Sequence, residues 1–136
     1  MTSLLLDTHI FLWWIDQDPR LTSRTRDAIA DPGARVVVSA VSVWEIGIKR
    51  DLGKLRFTRK PTQTILDNGF APLDITVDHA EAAPALPRLH ADPFDRMLIA
   101  QAVLERLVLV TADDQIRRYA GQVAGLSLFE AAPPPG

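Results

Sequence analysis

The chain has 136 residues, a formal net charge of -2, and 47% apolar against 24% charged residues. That is one domain with enough apolar surface for a single core, which excludes a collagen-like, disordered or coiled-coil protein. It has no cysteine, which excludes disulfides, thiolate metal sites and a cysteine nucleophile and fits a cytoplasmic protein.

The elements follow from the pattern of apolar residues and breakers. Ser3–Leu6 is a short apolar run that predicts a buried strand. No basic residue precedes Leu4-Leu5-Leu6 and Asp7 ends the run, which argues against a signal peptide. No apolar run reaches the roughly 18 residues of a membrane span. Thr8–Ile15 and Ser23–Asp31 predict helices, the first ended by Pro19 and the second by Pro32-Gly33. Arg35–Ser39, with Val36-Val37-Val38, predicts a second buried strand. Val41–Asp51 and Lys60–Asn68 predict helices, the latter closed by Gly69. Ala71–Ile75 predicts a third strand, and Thr76 caps a helix from Val77 to Ala83. Pro84 and Pro87 mark a loop, and Asp92-Pro93 opens a helix through Glu105. Leu107–Thr111 predicts a strongly buried strand, Asp113–Ala120 a last helix and Leu126–Phe129 an edge strand. The tail, residues 131–136, is Ala-Ala-Pro-Pro-Pro-Gly and is expected to be disordered, leaving one domain over residues 1–130.

Apolar strands alternating with helices predict an α/β fold, a central parallel sheet of four to five strands with helices on both faces. Right-handed crossovers then put the end of each strand and the start of the next helix on one rim, where such folds bind ligands. Asp7 ends the first strand, Asp113 follows the Leu107–Thr111 strand, and Glu45 lies one turn into the helix after Val36–Val38. Asp95 joins them if its helix starts on that rim.

Carboxylates gathered in one crevice repel and need compensation. A hard divalent cation supplies it, with Mg²⁺ as the expected ion and Mn²⁺ suited to the same oxygens. Such a centre activates water against a phosphodiester. His9, His79 and His90 are scattered and show no HExxH spacing, which leaves little for zinc.

Each acid also has a structural role open to it. Asp7 can cap the helix that follows, Asp92 is an N-cap ahead of Pro93, and Asp95 can complete that cap. Glu45 can pair with Lys49 four residues on, a weak return for an acid in an apolar run. Asp113 and Asp114 compete for the same place in the first turn of the last helix.

The stretch from Lys49 to Lys60 carries +5, and the remainder carries -7, a distribution open to either a nucleic-acid contact or a solvated surface. Lys49, Arg50 and Arg96 are the candidate contacts to the phosphates of such a ligand. Phe11, Trp13 and Trp14 are dense enough to leave an apolar patch for a partner, and Trp44 is expected to wall the crevice.

Several classes lack their signatures. There is no GxxxxGK, no paired acids of a phosphoacceptor domain, and histidine stands in Asp7-Thr8-His9 where a DxD phosphatase has its second aspartate. A non-enzymatic RNA- or protein-binding module, with the acids acting only as caps, remains the alternative.

Four segments in order resemble the PIN-domain ribonucleases, and most closely the VapC-type toxins of bacterial toxin–antitoxin pairs. They are Leu6-Asp7-Thr8-His9-Ile10-Phe11-Leu12-Trp13, Ser42-Val43-Trp44-Glu45-Ile46, His90-Ala91-Asp92-Pro93-Phe94-Asp95-Arg96 and Thr111-Ala112-Asp113. The resemblance runs from about Leu4 to Tyr119. It implies a Mg²⁺- or Mn²⁺-dependent endoribonuclease whose acidic positions are Asp7, Glu45, Asp95 and Asp113. Asp7 and Asp95 are then the principal metal ligands, and the other two bind through water or activate the nucleophile. It also implies a homodimer inhibited by a small antitoxin that inserts a segment near the active site.

Overall fold

The computed structural model describes residues 2–131. Five strands form one sheet, every pairing parallel: β1 (Thr2–Leu6), β2 (Ala34–Ser39), β3 (Ala71–Leu73), β4 (Val108–Thr111) and β5 (Ser127–Glu130). Their order across the sheet is β3-β2-β1-β4-β5. The first strand is therefore central, with Leu6 opposite Val38 on one side and Val110 on the other.

Period-two alternation with helices on both faces explains the unbroken apolar runs Leu4–Leu6, Val36–Val38 and Val108–Val110 in the three central strands. Leu4, Leu6, Val36, Val38 and Val110 point to one face, where they pack with Ile10, Phe11, Ile29, Ile46 and Ile65. Those residues belong to α1 (Thr8–Asp16), α2 (Ser23–Ala30), α3 (Ala40–Asp51) and α4 (Pro61–Asp67). Leu5, Val37 and Leu109 point to the other face and meet Leu98, Ile99, Ala102, Ile116 and Tyr119. These lie on α6 (Pro93–Leu104), on α7 (Asp114–Arg117) and just after it, while α5 (Val77–Ala82) packs beside α6. Leu4, Leu5 and Leu6 are at most 2% exposed. At about 1.5–3 kcal/mol for each fully buried side chain, this strand anchors both cores.

Two predicted elements end well short of their pattern. The third strand stops at Leu73 rather than Ile75. It is an edge strand, where Pro72 lacks an N–H without breaking a ladder. The last helix is a single turn, Asp114–Arg117, rather than Asp113–Ala120. After it the chain tightens to three-residue turns, Tyr119 N to Ile116 O and Ala120 N to Arg117 O, both at 3.0 Å. That turn drives Tyr119 into the second core with no exposed surface. Gly121 then takes φ 74°, which favours glycine. The expected edge strand is present as β5.

Ala131, predicted to begin the disordered tail, is 1% exposed, and its N–H bonds Thr111 O at 2.8 Å. Residues 132–136 of that tail lie outside the described residues. No helix among the described residues is long and apolar enough to cross a membrane.

Candidate active site

The strand order turns at the centre of the sheet: the chain runs outward from β1 through β2 to β3, then returns to place β4 on the other side of β1. A crevice opens at such a reversal, at the C-terminal ends of the two strands. Asp7 follows β1 and Asp113 stands two residues after β4.

Asp7 is 3% exposed, and both its oxygens have partners. Oδ1 accepts from Ile10 N at 2.8 Å, capping α1, and Oδ2 accepts from the Thr111 hydroxyl at 2.6 Å. The cap and the rim position are therefore roles of one residue. Asp113 caps α7, its Oδ1 accepting from Gln115 N at 2.7 Å and from Ile116 N at 3.2 Å. Asp114 turns away to an exposed ion pair with Arg117. Of the two adjacent aspartates, Asp113 is the one that lines a cavity with Asp7.

Asp92 caps α6 through Phe94 N at 2.8 Å and Asp95 N at 3.2 Å, which leaves the Asp95 side chain free of capping. Asp95 Oδ2 instead lies 2.8 Å from His90 Nε2. One ligand atom from each of His90, Asp95 and Asp113 falls within 4.8 Å of the other two. His90 thus joins the acids, contrary to the reading of the three histidines as scattered. The signal was present in its place two residues before the Asp92 cap, on the loop that leads into the same helix.

Glu45 is 3% exposed on α3. Its Oε1 accepts from the Thr8 hydroxyl at 2.7 Å and its Oε2 from Lys49 Nζ at 2.6 Å. The Lys49 pair, discounted as too weak to justify an acid here, is present and supplies the countercharge that burial demands. Asp7 and Glu45 stand outside the His90–Asp95–Asp113 group.

The acids nevertheless share one field. Burial pushes Asp7 up to about 6; hydrogen bonds from Thr111 and Ile10 oppose the rise, and the charges of Asp113 and Glu45 add to it. Burial also pushes Asp95 up to about 6, opposed by His90 and assisted by Asp92, Asp113 and Asp7. Uncompensated negative charge of this kind, with two carboxylates and an imidazole converging, fits a divalent cation.

Other expected roles change. Arg96 is not available for phosphate: its guanidinium bonds the carbonyls of Ala83, Pro84, Leu86, Pro87 and His90 and the Tyr119 hydroxyl, at 2.9–3.2 Å. It collars the irregular loop that carries His90. Arg50 similarly bonds Phe57 O at 3.2 Å and Arg59 O at 3.4 Å, folding the basic stretch back on α3. Phe11 is wholly buried, so only the half-buried Trp13 and Trp14 remain of the predicted apolar patch. Trp44 is 60% exposed and meets Phe94 edge-on at 5.3 Å rather than walling the crevice.

A parallel sheet reversing at its first strand, with acids on the rim of that reversal, defines the class. The chain belongs to the PIN domain family, which matches residues 4–122. It is 29% identical over 122 residues to Ribonuclease VapC22 of Mycobacterium tuberculosis, covering 88% of this chain and 93% of that protein. The fold matches VapBC2 from Rickettsia felis bound to a promoter DNA fragment, with a TM-score of 0.66, 17% identity and coverage of 95% of this chain and 98% of that one. It also matches a toxin-antitoxin complex from Klebsiella pneumoniae, with a TM-score of 0.63, 23% identity and coverage of 94% and 99%.

Proposed function

We propose that this protein is a divalent-metal-dependent endoribonuclease, the toxin of a toxin–antitoxin pair, which hydrolyses RNA phosphodiester bonds. The observation that carries this reading is the convergence of His90, Asp95 and Asp113 at the sheet's reversal, beside an Asp7 whose carboxyl is held up to about 6. The likeness to Ribonuclease VapC22 across nearly its whole length supports the activity, and the toxin–antitoxin complexes that share the fold support the biological role.

Asp95 and Asp113 would hold the ion with Asp7, and Glu45 would act through water; Mg²⁺ is the expected ion and Mn²⁺ its substitute. When bound, the ion supplies positive charge for the phosphate and the attacking water. The chain's own groups do the positioning. Thr111 fixes Asp7, the α7 cap fixes Asp113, and Thr8 and Lys49 fix Glu45. The substrate would be a loop or single-stranded segment of RNA, whose bases and backbone can be splayed across a rim.

The partners proposed are a small antitoxin that covers the site and a second copy of the chain. Sedimentation of the purified protein should give about twice 15.0 kDa, and an antitoxin should co-purify from the native cell. A monomer with no partner opposes both.

The decisive experiment is sequencing of the RNA ends made by purified protein with and without Mg²⁺. Defined new ends that vanish with chelator support the reading. Undiminished cleavage in chelator overturns the metal mechanism, and RNA binding without cleavage favours a non-enzymatic module.

A further inference from the structure

A polyanion that enters a rim of carboxylates is repelled at every phosphate except the one a cation neutralises. Its neighbouring phosphates need fixed positive charge from the protein. Of the basic residues singled out by sequence, Arg96 spends its guanidinium on backbone carbonyls, Lys49 is paired with the buried Glu45, and none of the three lines the cavity shared by Asp7 and Asp113.

A different basic residue, Arg20, opens onto the acids. A cavity of about 250 Å³ is lined by Asp7, His9, Trp13, Arg20, Ala112 and Asp113. Arg20 is exposed there, and two neighbours orient it. Its Nε and Nη2 bond Asp18 at 3.1 and 2.6 Å, its backbone N–H bonds Asp18 Oδ1 at 2.9 Å, and its guanidinium carbon lies 4.8 Å from the Trp13 ring centroid. Asp18 takes one edge of the guanidinium and Trp13 one face. The edge formed by Nη1 and Nη2 makes no other side-chain hydrogen bond among the described residues. Such an edge matches two oxygens of a phosphate, and the aromatic face limits the entropy lost on binding.

We infer that Arg20, seated on Trp13, binds the RNA phosphate next to the scissile one and so sets the path of the strand across the site. This rests on the ribonuclease reading above. His9, exposed in the same cavity, borders that path.

The test compares the original protein with Arg20→Ala, Arg20→Lys and Arg35→Gln. Arg35 is an exposed residue near the start of β2, at the opposite end of the sheet, and controls for loss of charge alone. Binding of a fluorescein-labelled single-stranded RNA of mixed sequence is followed by anisotropy, in chelator and in Mg²⁺, and steady-state cleavage is measured alongside. Arg20→Ala should raise Kd and KM about tenfold, leave kcat within about twofold, and lower the salt slope by about 0.7, as for one single-strand phosphate contact. Arg20→Lys keeps the charge without the fork and should fall between. Arg35→Gln should match the original protein. Cleaving protein with unchanged KM and Kd in Arg20→Ala overturns this inference and leaves the nuclease standing. Loss of RNA binding in Arg20→Ala, from a protein that never cleaves, upholds the phosphate contact and overturns the nuclease. An original protein that neither binds nor cleaves RNA overturns both.

Discussion

Thr111 and Asp7, 104 positions apart in the chain, share a 2.6 Å hydrogen bond at the ends of two adjacent parallel strands. The same hydroxyl oxygen accepts from Asp113 N at 3.0 Å, so one side chain ties two of the candidate acids together. Thr111→Val keeps the shape and removes both bonds. It leaves a buried carboxylate oxygen without its donor, at a cost of about 1–3 kcal/mol. Urea denaturation should show that loss, and cleavage should fall by at least tenfold as Asp7 and Asp113 lose their fixed spacing. Unchanged stability and rate would make the bond incidental.

The two raised carboxyls set the pH dependence of the metal-free protein. Asp7 and Asp95 sit at about 6 against an ordinary value of 3.8, so the folded state holds their protons more tightly than the unfolded chain does. Their contribution to stability is complete below 3.8 and is lost as pH rises through about 6. Asp7→Asn removes one such group while keeping the cap, because Asn can accept from Ile10 N and donate to Thr111. At pH 8 in chelator the variant should be more stable than the original, by on the order of 1–2 kcal/mol; at pH 4 the gain should vanish. Mg²⁺ should raise the melting temperature of the original protein and leave that of Asp7→Asn nearly unchanged. Equal Mg²⁺ shifts in the two would remove Asp7 from the ion's ligands.

Asp92 and Asp95 separate a cap from a ligand within one helical turn. Asp92→Asn keeps the bonds to Phe94 N and Asp95 N and should retain most activity. Asp95→Asn keeps its volume, loses the charge beside His90, and should lose activity by orders of magnitude. Rates of RNA cleavage at saturating Mg²⁺ decide this, and the reverse order would exchange the two assignments.

The apolar triplets of β1 and β2 made the parallel sheet legible, because a strand covered on both faces has no polar positions. The acids were legible because strand ends in such a sheet share a rim. What lay beyond reach was pairing across distance. Nothing local to Arg96 announces that it will bind the carbonyls of a loop that begins thirteen residues earlier. Nothing near Arg20 shows that Asp113 lies across the same cavity. The helical pattern over Asp113–Ala120 yields only the short α7, because a buried Tyr119 and a left-handed Gly121 override it.

Arg96 is expected to act on folding rather than on RNA affinity. Its guanidinium holds the single 3₁₀ turn Ala83–Ala85 and the loop that follows it, and the loss of several charge-assisted bonds at once should cost about 2–4 kcal/mol. Arg96→Lys keeps the charge but not the fork, and should recover less than half of the stability. Chemical denaturation measures it. An Arg96→Ala protein of full stability but tenfold weaker RNA binding would restore Arg96 as a phosphate contact.

The central place of β1 has a bearing on synthesis. The first strand leaves the ribosome about a hundred residues before its neighbour β4, and the chain must wait for it with one edge open. Asp7 then has neither Thr111 nor Asp113 beside it. A nascent or prematurely released chain therefore carries no assembled centre, and whatever chemistry the rim performs is withheld from the translating cell until β4 and the turn that carries Asp113 have been made.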